Sequence, residues 1–190
     1  MSSMNDDKTL VAKARKGDRK AFEMIVKKYE QPLAGYFVRI VGDREMALDF
    51  AQDVFLKVHA SLETFRPAYK FSTWLFKIAS NHLIDHWRRR KIPTVSIDQP
   101  LGCGEGHLTI QVPDEGPSTE RTYELAEIRG RIENALGKIP PALAELFVLR
   151  HVNEFSYEEI AEIKGLPVGT VKNKVFQAKE LVRDLFMEPS

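Results

Sequence analysis

The chain has 190 residues, 43% of them hydrophobic and 29% charged, with a formal net charge of +1; this is ordinary globular composition, enough for one domain or two small ones, and it argues against a disordered or fibrous chain. No apolar run approaches the roughly 20 residues of a membrane-spanning helix, and the start, MSSMNDDK, lacks the apolar stretch of a secretory signal, so a cytoplasmic location without membrane insertion is expected. The single cysteine, Cys103, excludes an internal disulfide and leaves a zinc knuckle without its ligands, so no metal or cofactor is expected.

The near-zero net charge conceals a division along the chain. Residues 1–91 hold 18 Lys and Arg against 11 Asp and Glu, residues 92–120 hold none against 5, and residues 121–190 hold 10 against 11. A basic first half suggests a polyanion partner, although a basic face also serves solubility.

From Asp18, a good N-cap, to Val41, the residues Phe22, Ile25, Val26, Tyr29, Leu33, Tyr36, Phe37 and Ile40 recur at three-and-four spacing and predict a helix with a bend near Pro32. After Gly42 and Asp43, a second apolar stripe runs through Ala47, Ala51, Val54, Phe55, Val58 and Leu62. At about 100° per residue, Asp49, Gln52, Asp53, Leu56 and Ala60 gather on the opposite side of that helix. A leucine among carboxylates reads either as a docking surface or as a solvated face with one stray leucine.

Phe71 to Lys91, FSTWLFKIASNHLIDHWRRRK, sets aromatic residues against a basic block, the combination that grips single-stranded nucleic acid. A third and a fourth helix are expected within it. Phe71, Trp74, Leu75 and Ile78 fit one core-facing line, whereas Phe76, Asn81 and His82 do not. Asn81 stands where a helix could break, and an amide at such a seam can read a base edge. His86, Arg88, Arg89, Arg90 and Lys91 would then lie along phosphates, although the macrodipole alone also favours a basic helix end.

Residues 92–118 hold four prolines, four glycines and no lysine or arginine, which predicts an acidic linker between two domains. Helical periodicity resumes near Thr119 with Leu125, Ile128, Ile132, Ala135 and Leu136, and continues beyond Pro140-Pro141 with Leu143, Leu146 and Phe147. Ser156 and Glu159 form a capping box, and Gly165-Leu166-Pro167 makes a turn before a second helix at Val168. This is the pattern of a helix-turn-helix; a helical hairpin used only for packing is the plainer alternative. With Val171, Val175, Ala178, Val182 and Leu185 inward, Gly169, Lys172, Asn173, Phe176 and Gln177 point away from the core, in the half that enters a major groove. Asn and Gln can pair with adenine edges, and Lys172 can reach guanine or phosphate.

In combination, DREMALDFAQDVFLKVHASLETF, FSTWLFKIASNHLIDHWRRRK and SYEEIAEIKGLPVGTVKNKV resemble the extracytoplasmic-function sigma factors, the two-domain class of RNA polymerase promoter-specificity subunits, over about Leu10 to Phe186. The resemblance implies an all-α chain with a core-polymerase and minus-10 unit at 5–91, a linker at 92–118 and a minus-35 unit at 119–187. It assigns Asp49, Asp53, Leu56 and Lys57 to core polymerase, and Gln52, on the same side of that helix, is expected to join them. It places Trp74 in the melting segment, and Ile78, Ala79, Ser80 and Asn81 where an extruded minus-10 base is captured. It extends the minus-35 surface to Thr170 and Lys174. Fewer arginines stand in this last helix than in the family pattern, which implies weak phosphate gripping by that unit alone.

The implied function is that of a non-enzymatic initiation factor: it binds core polymerase, recognises two promoter elements and helps to melt one, in a stress or envelope response. Members of the family are often held by an anti-sigma protein. The rival is a stand-alone helix-turn-helix regulator, which would bind DNA without core enzyme. Five scattered histidines and no framed carboxylate pair give no catalytic constellation.

Overall fold

The structure is a computed structural model that describes the backbone of residues 3–90 and 119–187. The expected linker at 92–118 and Lys91 lie outside the described residues, as does the side chain of Arg90.

The described chain is helical and contains no strand. The first unit has α1 (Ser3–Arg15), α2 (Arg19–Val41), α3 (Arg44–Ser61), a 3-10 turn (Leu62–Thr64) and α4 (Phe71–Arg90). The second has α5 (Thr119–Lys138), α6 (Pro141–His151), α7 (Tyr157–Lys164) and α8 (Val168–Met187).

Local chemistry sets the boundaries. The Ala21 amide donates to the Asp18 carboxylate at 3.2 Å and the Met46 amide to Asp43 at 3.0 Å, so an aspartate caps the start of both α2 and α3. Between them Gly42 takes φ 74°, a left-handed conformation open to glycine, and its amide closes α2 on the Val38 carbonyl.

The apolar stripes meet as the periodicity predicts. Ile25, Leu33 and Phe37 from α2 pack with Val54 and Val58 from α3 and Leu75 and Leu83 from α4, all fully or almost fully buried. Each such side chain contributes about 1.5–3 kcal/mol through its removal from water. In the second unit Leu136, Leu146, Leu149, Ile160, Ile163, Val171 and Ala178 fill the same role.

Three features differ from the sequence expectation. Residues 71–90 form one uninterrupted helix, so Asn81 does not stand at a break. Helix α1 precedes the first expected helix, and its buried Asp7 accepts a hydrogen bond from Tyr29 Oη at 2.6 Å. The two units also pack on each other: Phe76 and Phe155 have ring centroids 5.0 Å apart, and Lys70 pairs with Glu159 at 2.7 Å.

Candidate nucleic-acid interface

Helix α3 turns Ala47, Ala51, Val54 and Val58 into the core, which leaves Asp49, Gln52, Asp53, Leu56 and Lys57 exposed on its outer side. Leu56 is 69% exposed, and Leu48, two turns earlier on the same side, is 42% exposed. Sequence reading missed Leu48 because it neighbours the core position Ala47. With Gln52 between them, the two leucines make a short apolar line flanked by carboxylates.

Helix α4 distributes its expected site residues in three directions. Lys77, Asn81, Ile84 and Arg88 are exposed at four-three-four spacing, a stripe of about 16 Å along one face. Arg89 is exposed beside it, and Arg88 pairs with Asp85 at 2.9 Å. Ile84 and Lys77 were not singled out from the sequence, because the expected break at Asn81 hid their shared face. Trp74 is half-buried, with its ring 5.4 Å from Phe65 and 5.6 Å from Phe71, so core packing fixes its inner edge.

The second direction corrects the reading of Phe76 and Ser80 as nucleic-acid contacts. Phe76 is 2% exposed, in edge contact with Tyr36 and packed on Phe155, and Ser80 has no exposed surface. Both lie under the second unit, so neither is presented to a base in this arrangement.

The third direction is toward α3. Lys57 Nζ lies 2.8 Å from His82 Nδ1, and Asp53 Oδ2 lies 3.8 Å from His82 Nε2. The rings of His82 and His86 stack edgewise on Phe50, at 4.7 and 4.8 Å. Burial, reinforced by the Lys57 charge, pushes His82 below the ordinary histidine range. Neither histidine shares the exposed stripe, which corrects the expected placement of His86 along phosphates and of His82 beside Asn81 at the minus-10 site; they tie α4 to α3.

The helix-turn-helix forms as the sequence predicts. The Glu159 amide donates to Ser156 Oγ at 3.2 Å while the Ser156 amide donates to Glu159 Oε2 at 2.8 Å, and Gly165 makes the turn with φ 63°. Val171, Val175, Ala178 and Val182 are buried. Gly169, Lys172, Asn173, Lys174, Phe176 and Gln177 are exposed and Thr170 is half-buried, so α8 offers amides, ammonium groups and a 65%-exposed phenyl ring on its outer face. Lys172 Nζ sits 5.7 Å from the centre of the Tyr157 ring, which holds that ammonium at the start of the face.

Comparison with known proteins places the two units. Residues 25–92 match sigma-70 region 2, and residues 129–182 match sigma-70, region 4. The RNA polymerase sigma-H factor of Pseudomonas aeruginosa is 32% identical over 100% of this chain and 97% of its own length. The ECF RNA polymerase sigma factor SigW of Bacillus subtilis is 33% identical over 93% of this chain and 94% of its own length.

The chain belongs to the extracytoplasmic-function family of RNA polymerase sigma factors.

It is therefore an alternative sigma factor that directs promoter-specific transcription initiation, and the stand-alone regulator is not favoured. Its structure is similar to CnrH, solved with the cytosolic domain of CnrY, at 25% identity and a TM-score of 0.69 over 97% of this chain and 99% of the other. The same fold occurs in the sigma factor RpoE of Bartonella quintana, solved with the anti-sigma factor NepR, at 22% identity and a TM-score of 0.67 over 90% and 99%. Among the described residues of this sigma factor, no helix is long and apolar enough to cross a membrane. Its region 2 thus carries the α3 and α4 surfaces, and its region 4 carries the helix-turn-helix.

Proposed function

We propose that three surfaces divide the work of initiation. The Leu48, Asp49, Gln52, Asp53, Leu56 and Lys57 side of α3 docks on core RNA polymerase. The Lys77, Asn81, Ile84 and Arg88 stripe of α4, with Trp74 at its start and Arg89 beside it, meets the minus-10 element and helps to open it. The outer face of α8 reads the minus-35 element.

The observation that carries this reading is the simultaneous exposure of the three faces on otherwise well-buried helices. An exposed leucine line rimmed by charge is a protein-docking surface in miniature, with an apolar centre and a polar rim. The α4 stripe places cations on either side of an amide and an aliphatic side chain, so it can follow a phosphate strand while an unstacked base meets Asn81 and Ile84. Extruding a base has a cost of a few kcal/mol, and core polymerase shares that cost by holding the opened strands. On α8, Asn173 and Gln177 carry base-reading amides, and Lys172 and Lys174 supply charge.

The partners are core RNA polymerase and promoter DNA, and the polymerase itself carries out phosphoryl transfer. The protein works where the polymerase does, in the cytoplasm. The likeness to CnrH, solved with the cytosolic domain of CnrY, supports a further protein partner for this chain, for which an anti-sigma factor is the candidate.

Titration of the full chain against fluorescently labelled core enzyme tests the division. Leu56→Arg should weaken core binding at least tenfold while Asn173→Ala leaves it unchanged; equal affinity of wild type and Leu56→Arg would remove α3 from the docking surface.

A further inference from the structure

A polar cluster is sealed between regions 2 and 4. Glu145 of α6 has no exposed surface. Its Oε1 accepts from Tyr36 Oη of α2 at 2.8 Å, and its Oε2 accepts from Lys164 Nζ of α7 at 2.6 Å. The same ammonium donates to Ser80 Oγ of α4 at 2.8 Å. Phe76 and Phe155 close one side of the cluster, and the Lys70–Glu159 and Arg39–Glu133 pairs, at 2.7 and 3.8 Å, join the same two regions.

The charges belong to region 4 and the hydroxyls that complete their hydrogen bonding belong to region 2. A carboxylate and an ammonium lose their hydration when they are buried, and their mutual attraction offsets that loss only if the remaining lone pairs and protons are also satisfied. Tyr36 and Ser80 supply those bonds in one register of the two regions alone. Once the regions part, water hydrates all four groups. Such a contact is specific in geometry yet reversible, unlike an apolar seam of equal area.

The closed arrangement has a consequence for reach. Elements about 25 base pairs apart are separated by about 85 Å of helix axis. A compact chain of this length has a radius of gyration of about 16 Å, hence a width of about 40 Å. The 28 residues between Arg90 and Thr119 permit a span of up to about 90–100 Å when fully extended. Reading both elements therefore requires regions 2 and 4 to separate, and separation breaks every contact of the cluster.

We propose that Glu145 and Lys164, completed by Tyr36 and Ser80, form an intramolecular latch that holds the free chain closed and that core polymerase must open. The need for opening rests on the two-element reading above; the latch itself is a property of the free chain. Closure lowers the apparent affinity for core enzyme in proportion to the fraction of chain that is open.

The test is made on the full chain without polymerase. Cys103→Ser removes the native thiol, and cysteines in place of the exposed Lys27 and Glu162 carry a donor and an acceptor dye. Wild type should populate mainly one high-transfer state. Tyr36→Phe removes a single hydroxyl and strands a buried carboxylate oxygen only when the chain is closed, so it should lower the closed-to-open ratio about tenfold. In a Glu145→Leu background the same Tyr36→Phe change should have little effect, because its partner is gone. An unshifted ratio in Tyr36→Phe, an equal shift in both backgrounds, or a wild type that is mainly open would overturn the latch. Core titration of the same proteins keeps the two readings apart: the open-shifted variant should bind core up to tenfold more tightly, whereas failure of every variant to bind core would sink the initiation-factor reading and leave the free-chain result to judge the latch.

Discussion

Lys57 Nζ lies 2.8 Å from His82 Nδ1, so the proposed polymerase-docking helix α3 is tied to the proposed DNA-opening helix α4 by one hydrogen bond. An ammonium can only donate, so Nδ1 is the acceptor and the imidazole is neutral, with its proton on the Nε2 that faces Asp53 at 3.8 Å. Protonation of His82 would break that bond and set a second cation against Lys57.

Burial first, then Lys57, lowers the His82 pKa from its ordinary 6.5. The unfolded chain therefore takes up this proton before the folded chain as pH falls. The histidine's contribution to stability should be complete above pH 6.5 and should shrink as pH falls through 6.5 toward the lower folded value. Proton NMR of the imidazole should give a midpoint below 6.5, and Lys57→Met should move it upward. A wild-type midpoint above 6.5 would refute this arrangement.

The α4 stripe predicts a split between melting and binding. Asn81→Ala and Ile84→Asp should slow open-complex formation on duplex promoters, with recovery on a template already mismatched at the minus-10 element. Permanganate footprinting of unpaired thymines follows this directly. Full opening by both variants on duplex DNA would remove the stripe from the site.

On α8 two neighbouring residues should leave different signatures. Asn173→Ala should relax preference at one minus-35 position by about 1–3 kcal/mol. Lys172→Ala should weaken all sequences alike and reduce the salt dependence by about one unit, the mark of a lost phosphate contact. Holoenzyme binding to a randomised minus-35 library at several salt concentrations separates them. A sequence-selective loss in Lys172→Ala would instead make it a base reader.

The capping box of α7 has a structural role that can be measured apart from function. Ser156→Ala removes the acceptor of the Glu159 amide, 3.2 Å away, and should destabilise region 4 by about 1 kcal/mol. Thermal unfolding followed by circular dichroism should show the region 4 transition lowered by about 4–8 °C. An unchanged Tm would mean that tertiary packing alone holds this helix end.

The sequence made some of this legible and hid the rest for physical reasons. The stripes of α2 and α3, the helix-turn-helix with its capping box, and the outward faces of α3 and α8 all follow from helical periodicity and local capping, and the structure has them where the residues predict. Phe76 and Ser80 misled because their burial comes from region 4, far away in the chain, and a helical wheel of α4 cannot contain that contact. His82 misled because the imidazole turns to Lys57 on another helix. Helix α1 escaped notice because its apolar line, Leu10, Val11 and Ala14, is short, and its anchor is a carboxylate, Asp7, held by Tyr29.

The central claim is that this chain gives core polymerase its promoter choice. Purified core enzyme, alone and with the chain, should be run on genomic DNA of the source organism and the RNA 5′ ends sequenced. The account predicts start sites that are absent with core alone, that share minus-10 and minus-35 elements, and that disappear with Leu56→Arg. Start sites unaltered by the chain, together with tight sequence-specific DNA binding in the absence of core enzyme, would contradict it.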